Sequence, residues 1–183
     1  MIFVAKNSAL KRWALIVLAL FCLLCLESGF FGRLAFLPVV PGLLVTFIAC
    51  VFTFGELKEA YGAAIVAGVF LDFASGLPDG VLLLSLVVSL SLLSAGFRRF
   101  FSLKASTQAA LPLNVVVLTV LNSAAVAVFS KLFALAGLGQ AIEWRFFAIH
   151  GLPWLLLFNL LMAYPMLYLQ SILGGILKER AES

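Results

Sequence analysis

Tyr61 to Gly80 reads YGAAIVAGVFLDFASGLPDG. Ala60, Ala64, Gly68, Asp72 and Gly76 recur at every fourth position, flanked by Ala63, Ala67 and Ser75, so a helix through this stretch has one broad face with almost no side-chain bulk. Such faces let helix backbones approach closely in lipid, where packing and weak hydrogen bonds replace the hydrophobic drive. The face therefore predicts a helix contact, and Asp72 sits on it. An aspartate at bilayer depth costs about 2.5–3.5 kcal/mol on insertion scales, which directs it into a bundle rather than toward lipid. Two roles are open to it. One is a relay for an ion, a proton or a substrate; the other is a structural carboxylate accepting hydrogen bonds from the turn at Ser75 and Gly76 or from a neighbouring helix. A relay needs a second ionisable group at similar depth, and Glu27 is the candidate on the same side. Pro78 cannot continue a helix, and Gly76 and Gly80 allow the chain to reverse, so a tight helical hairpin is expected with Asp79 as N-cap of the following helix.

Composition makes lipid the surroundings of that helix. The chain of 183 residues is 64% hydrophobic and 11% charged, with a net charge of +4, and its mean hydropathy is +1.21. Soluble chains carry about 25% charged residues because a compact particle needs a wetted skin. A soluble globule, a disordered chain and a disulfide framework are excluded together, since the three cysteines lie scattered in apolar runs. Six apolar runs are separated by charged or breaker clusters, at about 13–31, 37–54, 60–77, 80–97, 111–129 and 151–173. The expected fold is an all-α integral membrane protein, a six-helix transmembrane bundle in a single domain over 1–183. The first run exceeds a signal-peptide h-region and lacks a small-x-small cleavage pattern, so it is expected to be retained.

Basic residues set the orientation. With an inside amino terminus, Lys6, Lys11, Arg12, Lys58, Arg98, Arg99, Lys104, Lys178 and Arg180 fall inside, against Arg33, Lys131 and Arg145 outside. Both termini are expected in the cytoplasm. The stretch from Lys131 to His150, with Trp144, Phe146 and Phe147, suits the headgroup layer on the outside. Arg98, Arg99 and Lys104 interleave with Phe97, Phe100 and Phe101 directly after an apolar run. That pattern reads as an inner-leaflet anchor or a docking surface for a cytoplasmic partner, and not as a nucleic-acid site.

Other polar residues are sparse. Asn114 and Asn122 share a face of the fifth helix and Asn159 lies in the sixth; interhelical hydrogen bonds or the lining of a polar cavity would satisfy them. Pro165 is expected to kink the sixth helix. Cys22 and Cys25 have a C-x-x-C spacing but lack the further ligands a metal needs, and His150 reads as an interfacial residue. No metal, cofactor or catalytic residue is assigned, and one acid in mid-helix with one histidine falls short of the groups an intramembrane protease or phosphotransferase requires.

The spacing of Ala64, Gly68, Asp72, Ser75, Gly76, Pro78 and Gly80 resembles the signature of the MreD family of bacterial rod shape-determining membrane proteins, approximately G-x-x-x-G-x-x-x-D-x-x-S-G-x-P-x-G, with Ala64 in place of the first glycine. Pro38 and Pro41 before the second helix and the basic loop after the fourth fit less specifically; the similarity covers about residues 38–104. The resemblance implies a non-enzymatic scaffold in the bacterial inner membrane. Its partners would be a single-span MreC-like protein and membrane lipids, and it would link the MreB filament to peptidoglycan synthases during cell elongation. It also implies that the seven signature residues are structural or partner-binding. A competing class is the substrate-binding subunit of a small-molecule transporter, similar to the six-helix S-components of energy-coupling-factor transporters. The outer end of the bundle discriminates between them: a closed polar pocket fed by Asp72, Asn114, Asn122 or Glu27 favours transport, and tight packing favours a scaffold.

Overall fold

The computed structural model describes residues 2–33, 40–100, 107–140, 145 and 147–179, with side chains for 12–31, 33, 40–96, 110–140, 145 and 147–172. Among the described residues there are six α-helices and no strand: α1 Ile2–Cys25, α2 Leu43–Phe54, α3 Leu57–Ala74, α4 Val81–Phe100, α5 Thr107–Leu135 and α6 Leu152–Glu179. A π-helical turn at Leu26–Phe30 and a 3-10 turn at Phe31–Arg33 prolong α1, and a second π turn at Phe147–Gly151 leads into α6. The stretches Arg12–Phe30, Ala110–Leu135 and Phe147–Ile172 are long and apolar enough to cross a membrane, while Leu43–Phe54 and Val81–Gly96 are apolar but shorter.

Several boundaries differ from expectation for local reasons. The second helix starts at Leu43, because Gly42 is non-helical behind Pro41. Its 12 residues span roughly 18 Å at about 1.5 Å per residue, well short of a hydrocarbon core of about 30 Å. The third helix starts earlier, at Leu57, because Glu56 and Glu59 form a capping box there. The fifth runs past Lys131 to Leu135 and ends in a Schellman motif: Gly137, at φ +75, donates to the carbonyl of Ala134 while Leu138 donates to that of Phe133. Lys131 is thus helical and not part of a connecting loop. Trp144 and Phe146 lie outside the described residues, as do Pro38, Lys104 and Arg180. The sixth helix continues through Pro165.

Side-chain bonds give the helix directions. Arg12 meets Glu59 and Phe21 meets Phe70, so α1 and α3 run parallel. Asp72 meets the start of α4 while Tyr61 meets Ser91 and Ser94 further along it, so α3 and α4 run antiparallel. Asn114 of α5 meets Thr53 at the end of α2, and Asn122 meets Ser85 near the start of α4. Direction therefore alternates along the chain, and the bundle has two ends, one holding Asp72, Glu27 and Asn159 and the other holding Arg12, Glu59 and Thr53.

At the centre is α2, packed against α1, α3, α5 and α6. Leu43 to Val51 are buried without interruption, as a helix apolar on every side requires. The third helix is built the other way round from a soluble amphipathic helix. Ala60, Ala63, Ala64 and Ala67 are buried, and Ile65, Val69 and Phe73 point outward, Phe73 being 83% exposed. Small residues inward and large residues outward is the arrangement that lipid favours.

Candidate functional site

Of the seven signature residues, Gly68 and Asp72 form the contact between α3 and α4. A Cβ at Gly68 would lie 2.6 Å from the Cα of Leu83, so only glycine admits the α4 backbone here. One turn on, the Asp72 carboxylate accepts hydrogen bonds from the first free N–H groups of α4, Leu82 to Oδ1 at 2.9 Å and Leu83 to Oδ2 at 3.2 Å. The two residues are coupled: the close approach at Gly68 brings the start of α4 within reach of Asp72. The first N–H groups of a helix have no partner within the helix and carry partial positive charge, which a buried carboxylate satisfies on both counts.

This arrangement decides between the two hydrogen-bonding partners expected for Asp72. The donors are on the neighbouring helix, and the turn at Ser75 and Gly76 supplies none of the bonds to the carboxylate. It also corrects the assignment of Asp79, which is exposed while the N–H groups it was expected to cap are bound by Asp72. Ser75 organises the turn instead, with its Oγ donating to the Asp72 carbonyl and accepting from the Leu77 N–H. Gly80 has φ +94, a value that favours glycine. Gly76 is not at positive φ, and a side chain there would meet nothing within 4 Å, so the turn makes no use of that glycine. Pro78 rests against Gly139, where a Cβ would come within 2.6 Å of the proline ring. Ala64 is buried in the core.

A second helix start at the same end is capped from a distance. The Glu27 carboxylate, carried on the π turn after α1, accepts from the Leu44 N–H at 3.2 Å. Asn159 of α6 accepts from the Gly42 N–H at 2.8 Å and donates to Thr119 of α5 at 3.0 Å. Glu27 and Asp72 are therefore not partners; each carboxylate serves a different helix. Asn114 donates to Thr53, and Asn122 accepts from Ser85. Asn114, Asn122 and Asn159 each make an interhelical hydrogen bond.

The opposite end is built differently. Arg12 pairs with the buried Glu59 at 2.9 Å, and Glu59 also accepts from the Glu56 N–H. The Lys58 ammonium, hydrogen-bonded to the exposed Glu56, holds that carboxyl below its usual range, and its own pKa rises in turn. A cavity of about 280 Å³ opens here among Arg12, Ile16, Phe47, Glu59, Leu167 and Gln170. The spacing of Glu56 and Glu59 signals the capping box, but nothing local in the sequence announces the pairing of Arg12 with Glu59 or the place of Gln170. Arg98 and Arg99 lie in the last turn of α4, and their side chains, like all of Lys104, are outside the described residues. Cys22 and Cys25 are exposed and His150 is exposed. Among the described residues no three His, Cys, Asp or Glu side chains cluster as metal ligands would. No protein-family model, curated protein or solved structure matches the chain.

Proposed function

We propose that the chain is a non-enzymatic scaffold of the bacterial inner membrane, acting in cell elongation by lateral association with a single-span MreC-like protein and through it with the MreB filament and peptidoglycan synthases. The observation that carries this reading is the state of the polar groups at the Asp72 end. Asp72, Glu27, Asn122 and Asn159 are each bound to a neighbouring helix, and none of them lines the cavity described above. That packing supports a scaffold over the substrate-binding subunit of a transporter, which would need such groups turned toward a ligand. All six helices cross the membrane in this reading, the short α2 being covered at its ends by its neighbours, with both termini in the cytoplasm. Arg98, Arg99 and Lys104 lie at the inner leaflet.

The outward surface supports a protein partner. Leu157, Leu161, Tyr164, Tyr168 and Ile172 form an exposed stripe at helical spacing on α6, with Tyr164 72% and Tyr168 70% exposed. Tyr164 lies 12 residues into α6, roughly 18 Å at about 1.5 Å per residue, near mid-membrane. Tyrosine favours the interface, where its hydroxyl is wet, and a hydroxyl facing hydrocarbon lacks a hydrogen-bond partner that a polar group on an adjacent helix supplies. The test is a pull-down of the tagged chain from membranes, with the expected co-purifying protein a single-span one. Loss of rod shape is expected on deletion. A chain that purifies as a monomer, and whose deletion changes neither cell shape nor wall-synthase activity, sinks the proposal.

A further inference from the structure

The scaffold reading asks only that a protein helix cover the stripe on α6; the groups on the stripe say which. Trp154, Leu157, Leu161, Tyr164, Tyr168 and Ser171 are all exposed and recur at alternating steps of three and four residues, the spacing of a seam between two packed helices. Two polar groups lie on this seam. The Tyr164 hydroxyl makes no hydrogen bond among the described residues. Pro165, also exposed, has no N–H, so the carbonyl of Leu161, four residues back, loses its helical donor. Leu161 is itself exposed, so that carbonyl opens on the same face. Tyr164 lies about 12 Å, at about 1.5 Å per residue, short of the end of the apolar stretch at Ile172. A helical side chain leans toward the helix N-terminus, over the preceding turn. The hydroxyl therefore leans away from the head groups at the Ile172 end and comes level with the Leu161 carbonyl. In hydrocarbon neither group finds water.

We infer that this face binds a second copy of the chain, α6 against α6, about a two-fold axis along the membrane normal. Both copies enter the membrane the same way, so the two helices run parallel with equal residues at equal depth. Each face then offers one donor, the Tyr164 hydroxyl, and one acceptor, the Leu161 carbonyl, at one level, and the axis brings each donor to the other copy's acceptor. The face is complementary to itself: two hydrogen bonds form and all four groups are satisfied. Lipid tails offer neither a donor nor an acceptor. The seam carries no charged residue, so nothing on it repels a second copy. Its side chains leave on the order of 700 Å² uncovered, and a pair buries up to about 1,400 Å², above the roughly 1,000 Å² that a specific interface needs. The inference rests on the transmembrane placement proposed above and not on the MreC-like partner, which the dimer leaves the other faces of the bundle.

The test uses the full chain with the exposed Cys22 and Cys25 changed to alanine, reconstituted in vesicles of phosphatidylethanolamine and phosphatidylglycerol. Leu157→Cys and Leu161→Cys, each on the seam, are expected to give a disulfide-linked dimer under mild oxidation. Val128→Cys, comparably exposed on α5, is expected to stay monomeric. Dissociation of the dimer is read separately by energy transfer between labelled chains as lipid is added. Tyr164→Phe keeps the ring and removes both hydrogen bonds, and should weaken the dimer about fivefold or more. Tyr164 is exposed, so this change leaves the fold of each copy intact. Cross-linking at Val128 equal to that at Leu161 overturns the inference, as does unaltered association of Tyr164→Phe. A chain that stays monomeric in vesicles, or whose Leu161→Cys variant cross-links to a different protein in native membranes, overturns it too. A pull-down that returns no single-span protein leaves the dimer standing, so the two readings fail separately.

Discussion

Polar side chains tie helices together at both ends of the bundle, but they meet different kinds of partner. At the Asp72 end, carboxylates and an amide from α1, α3 and α6 reach across to the first N–H groups of α2 and α4. At the Arg12 end, charged groups pair with one another beside a cavity. A buried polar group tied to another helix's backbone holds two helices in one register, which is a structural task. A side-chain pair with one partly exposed member keeps some of its hydrogen-bonding capacity open to the surroundings. The same few residue types thus separate into a rigid end tied to backbone groups and an end of paired side chains beside a cavity, and their hydrogen-bond partners, more than their charge, tell which is which.

The largest effect should come from Gly68→Val. Any side chain at this position collides with the backbone at Leu83, parts α3 from α4 and takes Asp72 out of reach of its donors, costing about 3 kcal/mol or more from overpacking and lost capping together. Membrane abundance of the variant is expected to fall to near zero.

Asp72 is next. Asp72→Ala leaves the N–H groups of Leu82 and Leu83 unpaired and should cost about 1–3 kcal/mol, seen as lower abundance in the membrane. Asp72→Asn keeps one acceptor but turns an NH2 group toward the other N–H, so it should cost less than alanine, about 1 kcal/mol, with a small drop in abundance and partner binding retained. Full abundance of the asparagine variant with complete loss of a cell-shape or uptake activity would reverse the comparison, since Asp72 would then serve as a relay at the supposedly rigid end. Asn159→Leu, which orphans the Gly42 N–H, should cost about 1–2 kcal/mol in thermal unfolding of the detergent-solubilised protein. The smallest change is expected at the other end. Lys58→Ala breaks an ion pair between exposed groups and should leave unfolding unaltered within error, and a measurable drop there would show that even the exposed pair at the Arg12 end braces the fold.

Much of the architecture is legible in the sequence because long apolar runs and small-residue faces impose it. Apolar runs and their breakers locate the helices, and the four-residue recurrence from Ala60 to Gly76 identifies the face that meets α4. Asp72 is legible as a buried carboxylate on that face. Its donors are not, because the position of Leu82 opposite Asp72 depends on how many residues the hairpin turn consumes before α4 begins. The local rule that favours Asp79 as a cap loses to a carboxylate ten residues earlier, already fixed on a packed helix. The start of α2 and the pairing of Arg12 with Glu59, 47 residues apart, arise from tertiary packing that leaves no periodic trace. The stop at Gly137 has a visible signal in its glycine, but Lys131 draws attention to a loop that begins only after Leu135.

The cap on α2 also sets a timetable. Gly42 donates to Asn159, which is synthesised 117 residues later. At about 5–20 residues per second, the nascent chain carries that open amide for on the order of 10 s before its acceptor emerges. During that interval the core helix of the bundle has an unfinished end, held by Glu27 of the earlier chain. The last helix is therefore the closing piece of assembly. Chains arrested before Asn159 should be the ones that membrane quality-control proteases recognise and remove.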